Sequence, residues 1–417
     1  ESMEKKLYFV GAGGIGMANL VRYYLAHGAA VAGYDRAPSE LTAALEQEGL
    51  QFTDLDDRNA IPEPFRNADD TLVVYTPAIP EDNDILRYFR DNGFRVIKRA
   101  ALLGRITEHT DGICVAGSHG KTTTSSMIAN ILRGTDAGCT AFLGGILRNT
   151  GSNLVLNEKS RYSVIEADEY DRSFHQLHPW LAVVTSTDPD HLDIYGDEEH
   201  YLEAFSIFTS LIRPGGHLLV HTGLKFKPAA GPDVTVATYS GGSEGDWHAE
   251  DITYGDGTIT FTLVGPDGLR IERLSPGVPV DINIDNAVAA AAAAITAGAT
   301  PEQVREGLAS FRGAKRRFEI CTVLIDDYAH SPNEIRASIR SVRKLFTGKD
   351  LTVIFQPHLY TRTRDFAPDF ADALSECDHL VMPEIYPARE LPIPGISSHT
   401  ILDAVKGPQK TYCERKD

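Results

Sequence analysis

One short stretch has the residue types and spacing to handle a nucleoside triphosphate. Gly117-Ser118-His119-Gly120-Lys121-Thr122 reads GxxGKT, with Thr123 next in line. The two glycines allow a tight turn in which successive backbone N–H groups converge on one phosphate. Lys121 reaches the outer phosphates, and the Thr122 hydroxyl is a ligand for Mg2+. The full pattern G-x-x-x-x-G-K-[ST] needs a glycine at 115, where Val115 stands, so the loop is a shortened one. Its context separates it from an ordinary glycine turn with a solvated lysine. The apolar run Ile113-Cys114-Val115-Ala116 predicts a strand covered on both faces. A helix start follows, whose N-terminal partial charge faces the same anion.

Two acidic segments are the natural partners of such a loop. The strand predicted over 162–167 runs into Asp168-Glu169-Tyr170-Asp171, and Leu181 to Val184 runs into Thr185-Ser186-Thr187-Asp188-Pro189-Asp190-His191-Leu192-Asp193. Two parallel strands beside the phosphate-loop strand would carry both polar ends to the phosphate edge. A phosphate-bound Mg2+ takes a few hard oxygen ligands and keeps water. Spacing therefore favours Glu166, Asp190 or Asp193 over His191. A solvated acidic turn is the plainer account of 166–171.

A second glycine motif opens the chain. Lys5 to Val10 predicts a strand, Gly11-Ala12-Gly13-Gly14-Ile15-Gly16 fits GxGxxG, and a helix follows to His27. Asp35 stands at the tip of the next strand, where an acid meets a ribose hydroxyl. The loop Thr76-Pro77-Ala78-Ile79-Pro80 follows another strand, at the edge where open α/β sheets bind ligands. The pattern suits a nicotinamide dehydrogenase. It suits any nucleotide diphosphate equally, because glycines and a helix N-terminus recognise only the pyrophosphate.

Further along, 225–275 predicts an antiparallel sub-sheet from strands 234–239, 258–264 and 270–274. Asn283 and Asn286 stand at the entry of an alanine-rich helix, where one would cap it or read an adenine edge. Arg312 to Arg317 is a basic linker in an acidic chain, suited to an anion. A further α/β unit begins near Thr322 and carries Asp327. Its next strand ends in Gln356-Pro357-His358-Leu359-Tyr360-Thr361-Arg362-Thr363-Arg364, where His358 and Arg362 suit a carboxylate or phosphate. The tail from Gln409 shows no clear element.

The chain has 417 residues, enough for two or three domains. Its net charge of −18 argues against general nucleic-acid or anionic-membrane binding. Five cysteines without paired spacing, and no transmembrane run or signal peptide, lead to the expectation of a cytoplasmic protein.

Taken together, GSHGKTTT, EADEYD, DPDHLDIY, DINIDNAVAAAA, GAKRRFE, DDYAHSP and FQPHLYTRTRDF resemble, in order, the motifs of the Mur ligases. The resemblance implies an α/β protein of three domains. A Rossmann-like UDP-sugar domain would span 3–110, and an ATP/Mg2+ domain with a P-loop ATPase-type mixed sheet and a small antiparallel sub-sheet 111–313. A C-terminal Rossmann-like amino-acid domain would span 314–417, apparently truncated. It implies amide-bond formation between the lactoyl carboxylate of UDP-N-acetylmuramate and L-alanine, driven by ATP with Mg2+ through an acyl phosphate, in peptidoglycan precursor synthesis. By the same resemblance Gly13, Gly14, Ile15, Gly16, Asp35, Thr76, Ala78 and Ile79 would hold the UDP-sugar. Gly117 to Thr123, Asn283, Asn286, Arg317 and Asp327 would hold ATP. Thr122, Glu166 and His191 would bind the metal, and His358 and Arg362 the amino acid. Lys121, Glu166, His191, Arg317 and Asp327 would form the catalytic set. The family pattern is altered at Ser118, Ser186-Thr187, Ile282, Ser331 and Leu359. Rival readings are a tripeptide ligase on the same UDP-sugar, an NAD-dependent dehydrogenase, and a nucleotide-binding protein without turnover. Self-association is left open.

Overall fold

In the computed structural model the structure describes residues 3–255, 257–313, 319–321 and 324–414. The first unit is built on β1 (Lys6–Val10), β2 (Ala30–Tyr34), β3 (Gln51–Thr53), β4 (Leu72–Tyr75) and β5 (Arg95–Lys98). They form one parallel sheet in the order β3-β2-β1-β4-β5. The inner strands are apolar on both faces because helices cover both, and Leu7, Tyr8, Phe9 and Val10 are fully buried. Strand order reverses at β1, so the glycine turn after it opens into the crevice where such sheets take ligands.

The central sheet contains β6 (Asp111–Ala116), β7 (Thr140–Leu147), β8 (Ser152–Val155), β9 (Tyr162–Glu166), β10 (Leu181–Val184), β11 (His217–His221) and β12 (Thr235–Tyr239). Its order is β12-β11-β10-β6-β9-β7-β8. The phosphate-loop strand β6 lies between β9 and β10, parallel to both, as the acidic segments required. Register pairs Val115 with Glu166 and Ala116 with Val184, so both polar strand ends arrive level with the glycine turn. β9 is buried along nearly its whole length and does not alternate.

The sub-sheet differs from its sequence expectation. Residues 235–239 join the central sheet as its parallel edge. The antiparallel sheet is made instead by β13 (His248–Gly255), β14 (Thr258–Val264) and β15 (Arg270–Leu274). β13 carries polar residues at most exposed positions and so lacks a strong apolar signal. The alanine run forms the buried core of helix Ile282–Thr296. Small side chains let that helix lie close to the phosphate-loop helix Lys121–Leu132, sharing one core with Met127, Ile128 and Ile131.

In the last unit, β16 (Glu319–Cys321) and β17 (Leu324–Asp326) form an antiparallel hairpin. β18 (Thr352–Ile354), β19 (His379–Pro383) and β20 (Gln409–Cys413) make a parallel sheet. The tail from Gln409 is thus a strand. Among its described residues only Tyr412 packs on the core, which leaves little hydrophobic pattern to read. The unit touches the centre through Leu345, which is buried in the central core with Val342 packed against it, and through Lys344, which pairs with Asp281 at 2.7 Å and sits over the Tyr254 ring. Among the described residues no helix is long and apolar enough to cross a membrane.

Candidate active site

The glycine turn after β6 is held by the loop after β10. Thr185 Oγ1 donates to the carbonyls of Ala116 and His119, and Ser186 Oγ accepts from His119 N at 2.8 Å. The Ser186-Thr187 departure from the family pattern therefore keeps a hydroxyl on the loop backbone. Gly117 has φ +148°, and a Cβ there would lie 1.9 Å from Thr185 Oγ1. Gly120, at φ +81°, caps the following helix in the left-handed region, where side chains are disfavoured. Ser118 and His119 stand on the rim, and His119 Nε2 lies 2.9 Å from Asp188. Thr123 is half-buried in the first helical turn.

Lys121 and Thr122 meet the two acidic ends. Thr122 Oγ1 donates to Glu166 Oε1 at 2.9 Å, and Gly144 N donates to Glu166 Oε2 at 2.8 Å. Burial pushes the Glu166 carboxyl above its usual range, against those hydrogen bonds and the nearby Lys121 charge. Lys121 Nζ donates to Glu169 Oε2 at 2.6 Å. Glu169 is only 1% exposed, so the solvated-turn account fails for it, while Asp168 and Asp171 do face solvent. Sequence reasoning assigned Glu169 no role. The density of carboxylates after a buried strand marks the segment, but not which of them is buried.

His191 also adopts a left-handed conformation, at φ +52°. Its Nε2 is 3.7 Å from Glu169 Oε1 and 3.7 Å from Asp190. Non-glycine residues in such conformations are costly and concentrate at functional sites. Lys121, Thr122, Glu166, Glu169 and His191 thus form one connected cluster, while Asp193 lies exposed in the short helix Leu192–Tyr195. A divalent cation fits the donors present. Among the described residues Glu169 Oε1 is buried with no hydrogen-bond partner, and Thr122 and Glu166 supply hard oxygens. Among the described residues no three His, Cys, Asp or Glu side chains form a cage. Such an ion would accordingly depend on phosphate oxygens and water for its remaining ligands, the usual habit of Mg2+.

Asn283 and Asn286 do not cap their helix, whose N-cap is Asp281. Asn283 Nδ2 donates to Val278 O at 3.1 Å, Asn286 Nδ2 donates to Asn283 Oδ1 at 3.0 Å, and Thr124 Oγ1 donates to Asn286 Oδ1 at 3.1 Å. Both are buried, and they brace the phosphate-loop helix from below. Ile282 is exposed. Arg317 lies outside the described residues. Asp327 accepts from the Ser338 hydroxyl. Ser331 caps helix Pro332–Leu345 by accepting from Glu334 N.

In the first unit Gly13 N donates to Asp35 Oδ2 at 2.8 Å, so Asp35 holds the glycine turn itself. Gly14 and Ile15 are exposed on that turn, and Ala78 is exposed on the loop beside it. Thr76 and Ile79 flank Gly11 closely enough that a Cβ there would touch both at 3.4 Å. Gly16 faces Arg99, a residue the sequence did not single out. In the last unit His358 stacks on Tyr386, with ring centroids 5.5 Å apart. Burial first, then the charges of Arg362 and His330, depress the His358 pKa. Leu359, at φ +72°, turns the chain there into helix Tyr360–Leu374.

Three α/β units, a shortened phosphate loop and a buried Lys–Glu–Thr–Glu cluster define an ATP-handling ligase scaffold of three parts. Family models match along the chain: the Mur ligase family catalytic domain at 6–110, the Mur ligase middle domain at 115–294, and the Mur ligase glutamate ligase domain at 316–417. A UDP-N-acetylmuramate–L-alanine ligase of Parabacteroides distasonis is 55% identical over 416 residues, covering 99% of this chain and 90% of that relative. One from Porphyromonas gingivalis is 51% identical over 419 residues, covering 99% and 92%. The crystal structure of a UDP-N-acetylmuramate-alanine ligase from Thermotoga maritima superposes with a TM-score of 0.73 at 27% identity, covering 98% and 90%. The chain belongs to the Mur ligase family. The dehydrogenase reading of the first glycine motif is thereby set aside.

Proposed function

We propose that the chain joins L-alanine to the lactoyl carboxylate of UDP-N-acetylmuramate at the expense of ATP, in peptidoglycan precursor synthesis in the cytoplasm. The observation that carries this is the phosphate loop wedged between two acidic strand ends, in a chain whose 51–55% identical relatives bear that activity in their names.

A carboxylate is a poor acyl donor, and its conversion to an acyl phosphate provides a leaving group that the neutral alanine amine can displace. The first turn of helix Lys121–Leu132 presents its backbone N–H groups to the triphosphate, while Ser186 holds those of Ser118 and His119. Lys121, oriented by Glu169, keeps further N–H donors for the transferring phosphoryl group. Thr122, Glu166 and His191 would hold Mg2+, which when bound neutralises charge between the phosphates. Gly13 to Gly16, Asp35 and the Thr76–Ile79 loop form the acceptor-nucleotide end, while Asp327 and, by the family resemblance, Arg317 would contact the nucleotide. His358 and Arg362 offer the amino acid a cation for its carboxylate. Closure of the last unit excludes water, which would hydrolyse the acyl phosphate.

Phosphate release from ATP, measured with UDP-N-acetylmuramate and either L-alanine or the tripeptide L-alanyl-γ-D-glutamyl-meso-diaminopimelate, tests the assignment. Release dependent on L-alanine is expected. Equal rates with the tripeptide, or no alanine-dependent release, would overturn it.

A further inference from the structure

Arg99 is the first residue of helix Arg99–His109, directly after β5, at the same sheet edge as the glycine turn. Its guanidinium lies over Gly16: a Cβ at that position would be 2.7 Å from Nε and 2.9 Å from Cζ. The absence of a side chain at Gly16 therefore makes room for Arg99 as well as for a phosphate. Among the described residues the buried Nε has no hydrogen-bond partner. Burial lowers the pKa of Arg99, and the carboxylates whose charges oppose that shift belong to Asp168 and Glu166, across in the central unit. Glu166 is already engaged by Thr122 and Gly144, and Asp168 by Tyr170 N. Arg99 thus keeps a buried, unpartnered N–H donor beside the glycine turn, and its charge is felt by the carboxylates of the phosphate-transfer cluster. An enclosed donor without a partner is costly unless a ligand supplies the acceptor.

The acceptor substrate has a diphosphate at one end and a carboxylate that must approach the terminal phosphate of ATP. Two anions brought together repel, and a guanidinium fork matches a carboxylate bidentately. We propose that Arg99 selects the acceptor by its lactoyl carboxylate, ion-pairing with it between Gly16 and Glu166 and aligning it for phosphoryl transfer. This rests on the acceptor proposed above.

Equilibrium binding of two ligands, without ATP, tests it: UDP-N-acetylmuramate, and the corresponding UDP-N-acetylhexosamine with a hydroxyl in place of the lactoyl ether. For Arg99→Ala, affinity for the first is expected to fall roughly 10- to 100-fold, and for the second less than about threefold. Arg99→Lys, which keeps the charge and loses the fork, should fall between. In turnover, KM for the nucleotide sugar rises and kcat falls, while KM for ATP holds. Equal losses for both ligands would assign Arg99 to the diphosphate, and no loss for either would make it structural; each overturns the proposal. If Arg99→Ala does not fold, as judged by its melting transition, Arg99→Lys carries the same comparison with the same two reversals. Failure of the wild-type chain to bind UDP-N-acetylmuramate would instead overturn the acceptor assignment itself.

Discussion

Lys121 and Glu169 form a buried ion pair, and Lys121 faces two demands at once. It must donate to a phosphate, and it must neutralise a carboxylate that is 1% exposed. Lys121→Ala is expected to abolish ligation, a drop of at least about 10²–10³-fold in phosphate release. It should also lower the unfolding free energy by about 3 kcal/mol, because removing one partner strands a buried charge. Urea unfolding checks the second effect, and Lys121→Ala/Glu169→Gln should recover most of it. Unchanged stability in the single variant would mean that Glu169 finds another cation. The residue types of this centre are legible in the sequence, since a GKT triplet and two acidic strand ends admit few chemistries. Glu169 is not, because nothing local to EADEYD distinguishes a buried carboxylate from three others in the same turn.

At the scale of elements, the phosphate loop depends on close approach. Gly117→Ala places a methyl on Thr185 Oγ1, and is expected to cost about 1–3 kcal/mol of stability and to raise the KM for ATP. A thermal melt and a rate curve against ATP read both. His221 ties β11 to helix Ile282–Thr296: its Nε2 lies 2.7 Å from Asp285 Oδ1 and its Nδ1 2.8 Å from Thr222 O. Both neighbours are acceptors, so both ring nitrogens carry protons. The Asp285 hydrogen bond raises the His221 pKa above 6.5, with burial opposing. A raised folded pKa gives stability that is complete below the unfolded value and lost as pH rises through the folded one. The stability advantage of wild type over His221→Gln should therefore be largest below about pH 6.5 and shrink with rising pH, as read by urea midpoints at several pH values. An advantage that grows with pH would refute the charged form. Element types were mostly legible where apolar runs are continuous, as in β6 and β10. They were not where burial is partial, as in β13 and β20, since half-exposed strands resemble loops in composition.

For the molecule as a whole, the last unit rests on the central one through Lys344, Asp281 and Tyr254. These groups are partly exposed, and a pair of that kind stabilises by only about 0.2–1 kcal/mol. Leu345 adds to it an apolar contact buried in the central core, with Val342 packed beside it, and that burial outweighs the ion pair. Leu345→Ala, which removes that apolar contact, should cost about 2–4 kcal/mol of stability and increase the radius of gyration in small-angle scattering, whereas Lys344→Glu should change the melting temperature little. An unchanged radius would show that other contacts hold the unit.

The sequence by itself determined the parts and their chemistry: two glycine turns after buried strands, a lysine and threonine for phosphate and metal, acidic strand ends, and a chain long enough for three units. These are local, because turn geometry, strand burial and side-chain donor type are set within a few residues. The tertiary structure alone decided which donors meet. It placed β6 between β9 and β10, buried Glu169 against Lys121, turned Asn283 and Asn286 onto the phosphate-loop helix, and laid Arg99 over Gly16. Each of those pairings joins residues dozens of positions apart or more, and only the packing of one element on another brings them within hydrogen-bonding or van der Waals reach.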